Sequence, residues 1–162
     1  MYLIDTNILI EGSRRYPFEI FPGYWRELEN LSVSGKLFFH EKVKDEIVVW
    51  GDQISDWFNK TVAPATVLKI NEEELSSYRD LVVWTKEKRL PLYKPEAVTE
   101  FLSVADSWMV ASANSRDFKI VTYEAGAPNG TKRVKIPDAA QAFGVQCIDP
   151  IQMLRNEQIV VS

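Results

Sequence analysis

The chain starts with a short apolar run, Tyr2-Leu3-Ile4, that predicts a buried strand ending at Asp5. After Thr6-Asn7 the apolar run resumes as Ile8-Leu9-Ile10. A carboxylate between two such stretches is costly unless something offsets its charge. Tyr16-Pro17-Phe18 and Phe21-Pro22-Gly23 mark a loop. A helix follows, with Trp25, Leu28 and Leu31 on one face and Gly35 as its stop. Residues 36–39 are strand-like. Val43, Ile47 and Trp50 then share one face of a helix that Gly51 ends, and Ile54, Trp57 and Phe58 form another short helical face.

Residues 66–70 are β-rich, and Asn71 with Glu74 has the pattern of a capping box. The helix it opens is expected to bury Leu75, Tyr78 and Leu81 or Val82. A proline-punctuated loop spans 89–95. Val98, Phe101, Leu102, Ala105, Trp108, Met109 and Ser112 trace a long helical stripe with a break near 103–106. Residues 118–122, 134–136 and 145–148 read as strands, with a short helix at 138–143 closed by Gly144. Short apolar strands alternating with helices predict an α/β fold, a three-layer sandwich with a mainly parallel central sheet. No repeat or linker divides the 162 residues, so one domain over 1–162 is expected. Ligands of such sheets bind beyond the carboxyl ends of the strands, where Asp5 and Glu124 both fall.

Composition narrows the chemistry. With 46% hydrophobic and 26% charged residues the chain is neither disordered nor fibrous. Its apolar runs are too short to span a bilayer and the N-terminus lacks the basic start of a signal peptide, so no membrane and a cytoplasmic location are expected. Cys147 is the only cysteine, which forbids an internal disulfide and points to a reducing compartment. His40 is the only histidine, so zinc sites of the Cys/His type are not expected. A net charge of −4 does not advertise a polyanion binder. A protein that holds cations with carboxylates, however, stays acidic until they bind.

Four acids stand in apolar surroundings: Asp5 at a strand end, Glu46 beside buried Ile47, Asp106 between Ala105 and Trp108, and Glu124 after the strand ending at Thr122. Carboxylates gathered in one cleft repel each other unless a cation holds them ionised. With oxygen donors only, that cation is Mg²⁺ or Mn²⁺ rather than zinc. Such an ion suits phosphodiester hydrolysis. Thr6 and Asn7 are placed to orient water or phosphate, and Thr122 to support the strand-end acid. Lys132, Arg133 and Lys135, and Arg14 and Arg15, are candidates for phosphate contacts, and Tyr16 and Tyr93 for stacking on bases. Plainer readings exist: an Asx-turn for Asp5, a solvated helix face for Glu46 with Asp45 or Glu41 in its stead, and N-caps for Asp106 and Asp138.

Four segments in order, Leu3-Ile4-Asp5-Thr6-Asn7, Val43-Lys44-Asp45-Glu46, Val104-Ala105-Asp106 and Val121-Thr122-Tyr123-Glu124, resemble the motifs of the PIN-domain nucleases over nearly the whole chain. The Tyr-Pro-Phe loop and Lys135-Ile136-Pro137-Asp138 are similar to a prokaryotic PIN-like subgroup that looks like the VapC-like toxins. The resemblance implies a metal-dependent endoribonuclease with RNA as substrate, an antitoxin as partner and a homodimer as assembly. It also implies Asp5, Glu46, Asp106 and a fourth acid as catalytic metal ligands. The family's fourth acid is usually Asp; here it falls to Glu124, with Asp138 as the stronger rival and Asp117 as a further one. Two other readings are a PIN-like module whose catalysis has decayed and a haloacid-dehalogenase-like phosphatase. The latter wants an acid where this chain has Asn7.

Overall fold

Tyr2–Ile4 forms strand β1, and neighbours pair with it in parallel on both sides. In the computed structural model, which describes residues 1–162, the other strands are β2 (Leu37–His40), β3 (Val67–Leu68), β4 (Lys119–Val121) and β5 (Cys147–Ile148). They lie in the order β3-β2-β1-β4-β5, and every pairing is parallel. Parallel neighbours need long crossovers. Helices α1 (Thr6–Arg15), α2 (Pro22–Val33), α3 (Glu41–Val48), α4 (Gln53–Thr61), α5 (Glu72–Val83), α6 (Pro95–Ser103), α7 (Ala105–Arg116), α8 (Ile136–Ala142) and α9 (Pro150–Asn156) occupy the intervals and flank the sheet. This is the α/β architecture that the strand and helix pattern predicts.

The central position of β1 explains its composition. A strand covered on both faces is apolar throughout rather than alternating, and Tyr2, Leu3 and Ile4 are all buried. They belong to one contiguous cluster of 35 buried apolar residues. Gly35 and Gly144, the expected helix stops, adopt φ of 71° and 70°, the left-handed geometry that ends helices cheaply only at glycine. The long stripe breaks at Val104 into α6 and α7. Beyond α9, Glu157 accepts a 2.8 Å bond from the Tyr2 hydroxyl and pairs with Lys36 at 2.6 Å. The C-terminal segment is thereby tied to β1 and to the start of β2.

Four elements differ from the expectation. Ile8-Leu9-Ile10, assigned to no element from the pattern, lies in a helix: Asp5 is the last extended residue, and Thr6 opens α1, which buries Ile8, Leu9 and Gly12. Residues 134–136 form no strand. Val134 and Ile136 are buried in strand-like alternation, but no neighbour pairs with them, and Ile136 already belongs to α8. Helix α5 is turned by one position, burying Glu74, Ser77 and Leu81 and exposing Leu75. Asn71 does cap it, accepting from the Glu74 amide at 2.9 Å, but the Glu74 carboxylate turns inward. Helix α9 is an element the pattern did not indicate.

Candidate acidic site at the strand ends

The sheet order changes direction at β1, with β2 and β3 to one side and β4 and β5 to the other. Chains leaving the carboxyl ends of strands at such a switch point diverge and open a crevice. β1 delivers Asp5 there, and β4 delivers Thr122, Tyr123 and Glu124. The Asp5 amide donates to Val121 O at 3.0 Å, extending the ladder by one rung before the chains part.

Asp5 is 4% exposed, and its Oδ2 accepts a 2.7 Å bond from Thr122 Oγ1. Its side chain makes no capping hydrogen bond to α1, although the backbone amides of Asn7 and Thr6 favour its ionised form. Burial pushes its carboxyl up to about 6; the Thr122 bond opposes the shift, and the charge of Glu124 adds to it. Asp106 sits in the first turn of α7, not at the cap, which is Val104. Burial first, and then the charges of Asp5, Glu124 and Glu46, push it up to about 7, with Arg133 pulling the other way. The three charges acting on Asp106 are the other acids singled out in the sequence. The same field reaches the Cys147 thiol, which burial and then Asp5 and Glu124 push up to about 12.

Each of the other two acids is held by protein donors. Glu46 Oε2 accepts from Thr6 Oγ1 at 3.0 Å and Oε1 from the Ala105 amide at 3.1 Å, joining the start of α1 to the start of α7. Glu124 Oε2 accepts from the Ile136 amide at 2.9 Å, and Lys135 lies 3.6 Å from Oε1. Thr122 Oγ1 also accepts from the Glu124 amide at 3.0 Å and from Asn7 Nδ2 at 3.3 Å, while Asn7 Oδ1 accepts from the Tyr123 amide. Thr6, Asn7 and Thr122 thus form the polar frame in which the acids stand.

The remaining sequence candidates divide. Asp138 stays outside the group: its Oδ2 accepts from the Ala127 amide at 2.8 Å, and it is not among the charges that shift Asp5 or Asp106. Arg14 pairs with Glu11 at 3.0 Å. Arg15 lies 4.4 Å above the Tyr123 ring and, with Thr122 and Glu124, lines a cavity of about 440 Å³ at the ends of β4 and β5. Arg133 joins Glu46 and Asp106 around a second cavity of about 220 Å³, beside α6. Lys132 and Lys135 lie on the same loop as Arg133. Tyr16 and Tyr93 are not free to stack on bases: Tyr16 packs on Tyr24, and Tyr93 is buried beneath Arg89.

His40, the only histidine, has two partners in the structure. Its Nδ1 accepts from the Lys42 amide, capping α3, and its Nε2 lies 2.6 Å from Glu74 Oε1. Because Nδ1 accepts, Nε2 carries the hydrogen. Arg116 approaches Glu74 Oε2 at 3.4 Å, near enough to meet its charge without forming a hydrogen bond. This buried network stands under α3, the helix that carries Glu46. The available signal was positional: His40 ends β2 as Asp5 follows β1.

No three His, Cys, Asp or Glu side chains form a preset coordination sphere. The donor set nevertheless fits a hard divalent cation. It consists of carboxylate and hydroxyl oxygens, and buried Asp5 and half-buried Asp106 stand where ionisation is opposed by their neighbours. A divalent ion would be held by Asp5, Glu46, Asp106 and Glu124.

Comparisons place the chain among known proteins. A search of curated proteins returns no match. The crystal structure of FitAcB from Neisseria gonorrhoeae superposes with a TM-score of 0.57 at 15% identity, covering 93% of this chain and 99% of that one. The likeness is one of fold: both are α/β proteins with a mainly parallel central sheet flanked by helices. The family described as "Domain of unknown function (DUF4411)" matches residues 2–161, and the chain belongs to it.

Proposed function

We propose that the protein is a Mg²⁺- or Mn²⁺-dependent endoribonuclease and acts as the toxin of a toxin–antitoxin pair. The observation that carries the catalytic part is the convergence of acids from α1's entrance, α3, α7 and the β4 end, such that Asp106 is shifted by the other three. A bound divalent ion supplies an activated water and offsets the charge on the phosphodiester. The chain's own residues prepare the site. Thr122 fixes the Asp5 rotamer, Thr6 and the Ala105 amide fix Glu46, and the Ile136 amide fixes Glu124. Arg133 and Arg15 put positive charge on the two cavities that flank the acids. A strand continuing on both sides of the reacting bond suits internal cleavage. RNA as substrate, an antitoxin and a homodimer rest on the family resemblance and belong to this proposal. No helix is long and apolar enough to cross a membrane, and a cytoplasmic site of action is part of this proposal.

The test is cleavage of single-stranded RNA by protein stripped with a chelator and then given Mg²⁺ or Mn²⁺. Cleavage that depends on the ion supports the reading; cleavage that persists in chelator, or none with either ion, overturns it. A finer outcome concerns Thr122→Val, which removes the hydroxyl but not the volume. Loss of a hydrogen-bonding partner behind a metal ligand costs about 10–100-fold in activity. Thr122 also holds the Asp5 carboxyl down, so the acid limb of the pH–rate profile is expected to move to higher pH. An unmoved limb would detach Thr122 from Asp5.

A further inference from the structure

The loop between β4 and α8 is the most concentrated positive feature of a chain whose net charge is −4. It folds into a cup of about 380 Å³ lined by Asn129, Thr131, Lys132, Arg133 and Lys135 among others, with no acidic residue in its wall. Lys132 and Arg133 are exposed and take part in none of the protein's ion pairs. Lys135 is shared with Glu124. Arg133 also lines the cavity that holds Glu46 and Asp106, so the cup and the acidic crevice meet at this residue.

The cup is built rather than loose. Arg89 is 5% exposed, and its guanidinium donates to the carbonyls of Pro91 (2.6 Å), Ala127 (3.2 Å) and Pro128 (2.8 Å) while lying 3.9 Å over the Tyr93 ring. No carboxylate pairs with it; its Nη1 and Nη2 donate three hydrogen bonds that hold two loops together. Asp138 fixes the same segment through the Ala127 amide, and the Lys94 amide donates to Thr131 O at 2.9 Å. Asp138 Oδ1 presses so closely on Gly126 that a Cβ there would lie 2.8 Å from it. A loop whose backbone is anchored at 127, 128 and 131 carries its cations on a fixed frame, which spares the entropy of ordering the loop on binding.

We propose that this cup is a second phosphate subsite, which takes a phosphodiester of the substrate strand next to the one lying at the acids, with Arg89 as the positioning residue that holds the cup open. The inference rests on reading the acids as a phosphodiester-cleaving site. The subsite phosphate does not react, so its contact strengthens substrate and transition state alike and is expressed in KM rather than kcat. Each cation removed lowers the salt dependence of single-strand binding by roughly 0.7 in log–log slope.

The experiment measures binding of a short labelled oligouridylate by fluorescence anisotropy over a range of salt, together with cleavage kinetics, for wild type and the Lys132→Ala/Arg133→Ala protein. The double variant is expected to keep its Tm, bind about tenfold more weakly at low salt, show a shallower slope and raise KM, and Lys132→Ala alone, which leaves Arg133 beside the acids, is expected to raise KM at unchanged kcat. If wild type cleaves RNA while slope, affinity and KM are unchanged in the variant, the subsite is overturned and the nuclease reading stands. If wild type binds with a variant-sensitive slope but never cleaves, the nuclease reading fails and the subsite stands. Arg89→Lys keeps the charge but not the fork and is expected to raise KM at unchanged kcat. An unchanged KM removes Arg89's positioning role.

Discussion

The Asp106→Asn protein is expected to be inactive and, without divalent ions, to melt at a higher temperature than wild type near neutral pH. In the folded state burial and three neighbouring carboxylates push Asp106 up to about 7, from an ordinary carboxyl value of 3.8. Between these values the folded state binds more protons than the unfolded one, so stability falls as pH rises through the window. Below it, both states are protonated and the ionisation penalty is absent; above it, both are ionised and the penalty is complete. Asparagine has the same shape and no charge to bury. The gain is therefore largest above about pH 7 and vanishes near pH 4, reaching about 1–3 kcal/mol, or roughly 3–10 °C in Tm. A Tm difference independent of pH, or an asparagine protein less stable at about pH 8, would sink this account. Saturating Mn²⁺ should reverse the order: an ion at a hundred times its Kd stabilises wild type by about 2.7 kcal/mol, and the variant loses a ligand for it.

A second large effect is expected at Glu74, remote from the chemistry in sequence but buried beneath it. Both Glu74 and His40 are fully buried, and Glu74 stands between the histidine and Arg116. Glu74→Ala leaves the Nε2 hydrogen of His40 without an acceptor and the Arg116 charge without a partner. Breaking a buried pair in this way costs about 3–5 kcal/mol, or roughly 10 °C in Tm. Glu74→Gln keeps an acceptor for His40 and loses only the charge, so it is expected to fall between wild type and alanine. Chemical denaturation distinguishes the three; equal losses for Ala and Gln would assign the whole effect to Arg116. The cap that His40 provides to α3 links this network to Glu46, so the alanine protein should also lose ion-dependent activity before it unfolds.

Much of the site was legible because its acids interrupt apolar runs, and a charge in such a run has few structural excuses. Asp5, Glu46, Asp106 and Glu124 stand out for this reason, and the structure brings them within each other's field. Other features leave no such trace. Helix α1 was hidden because Ile8-Leu9-Ile10 has no period that separates a strand from a buried helix. Val134 and Ile136 alternate as strand residues do, yet what they pack under is a loop, and pairing is a property of neighbours rather than of the segment. Glu74 read as a surface capping residue because its inward turn depends on His40, thirty-four positions away. Arg89 read as part of a proline-rich loop, since the carbonyls it binds come from residues 91, 127 and 128. Asp138 followed a segment mistaken for a strand, and it serves that loop instead of the acids.

The central place of β1 and its tie to Glu157 have a consequence for synthesis. During synthesis β1 waits for both neighbours: β2 follows soon, but β4 comes more than a hundred residues later and the Glu157 tether later still. Asp5 gains Thr122 and Glu124 only when that last third of the chain has emerged. A nascent chain therefore carries its acids apart from one another while it is still attached to the translation machinery. The acidic cluster is complete only once β4 and the residues just beyond it have been made.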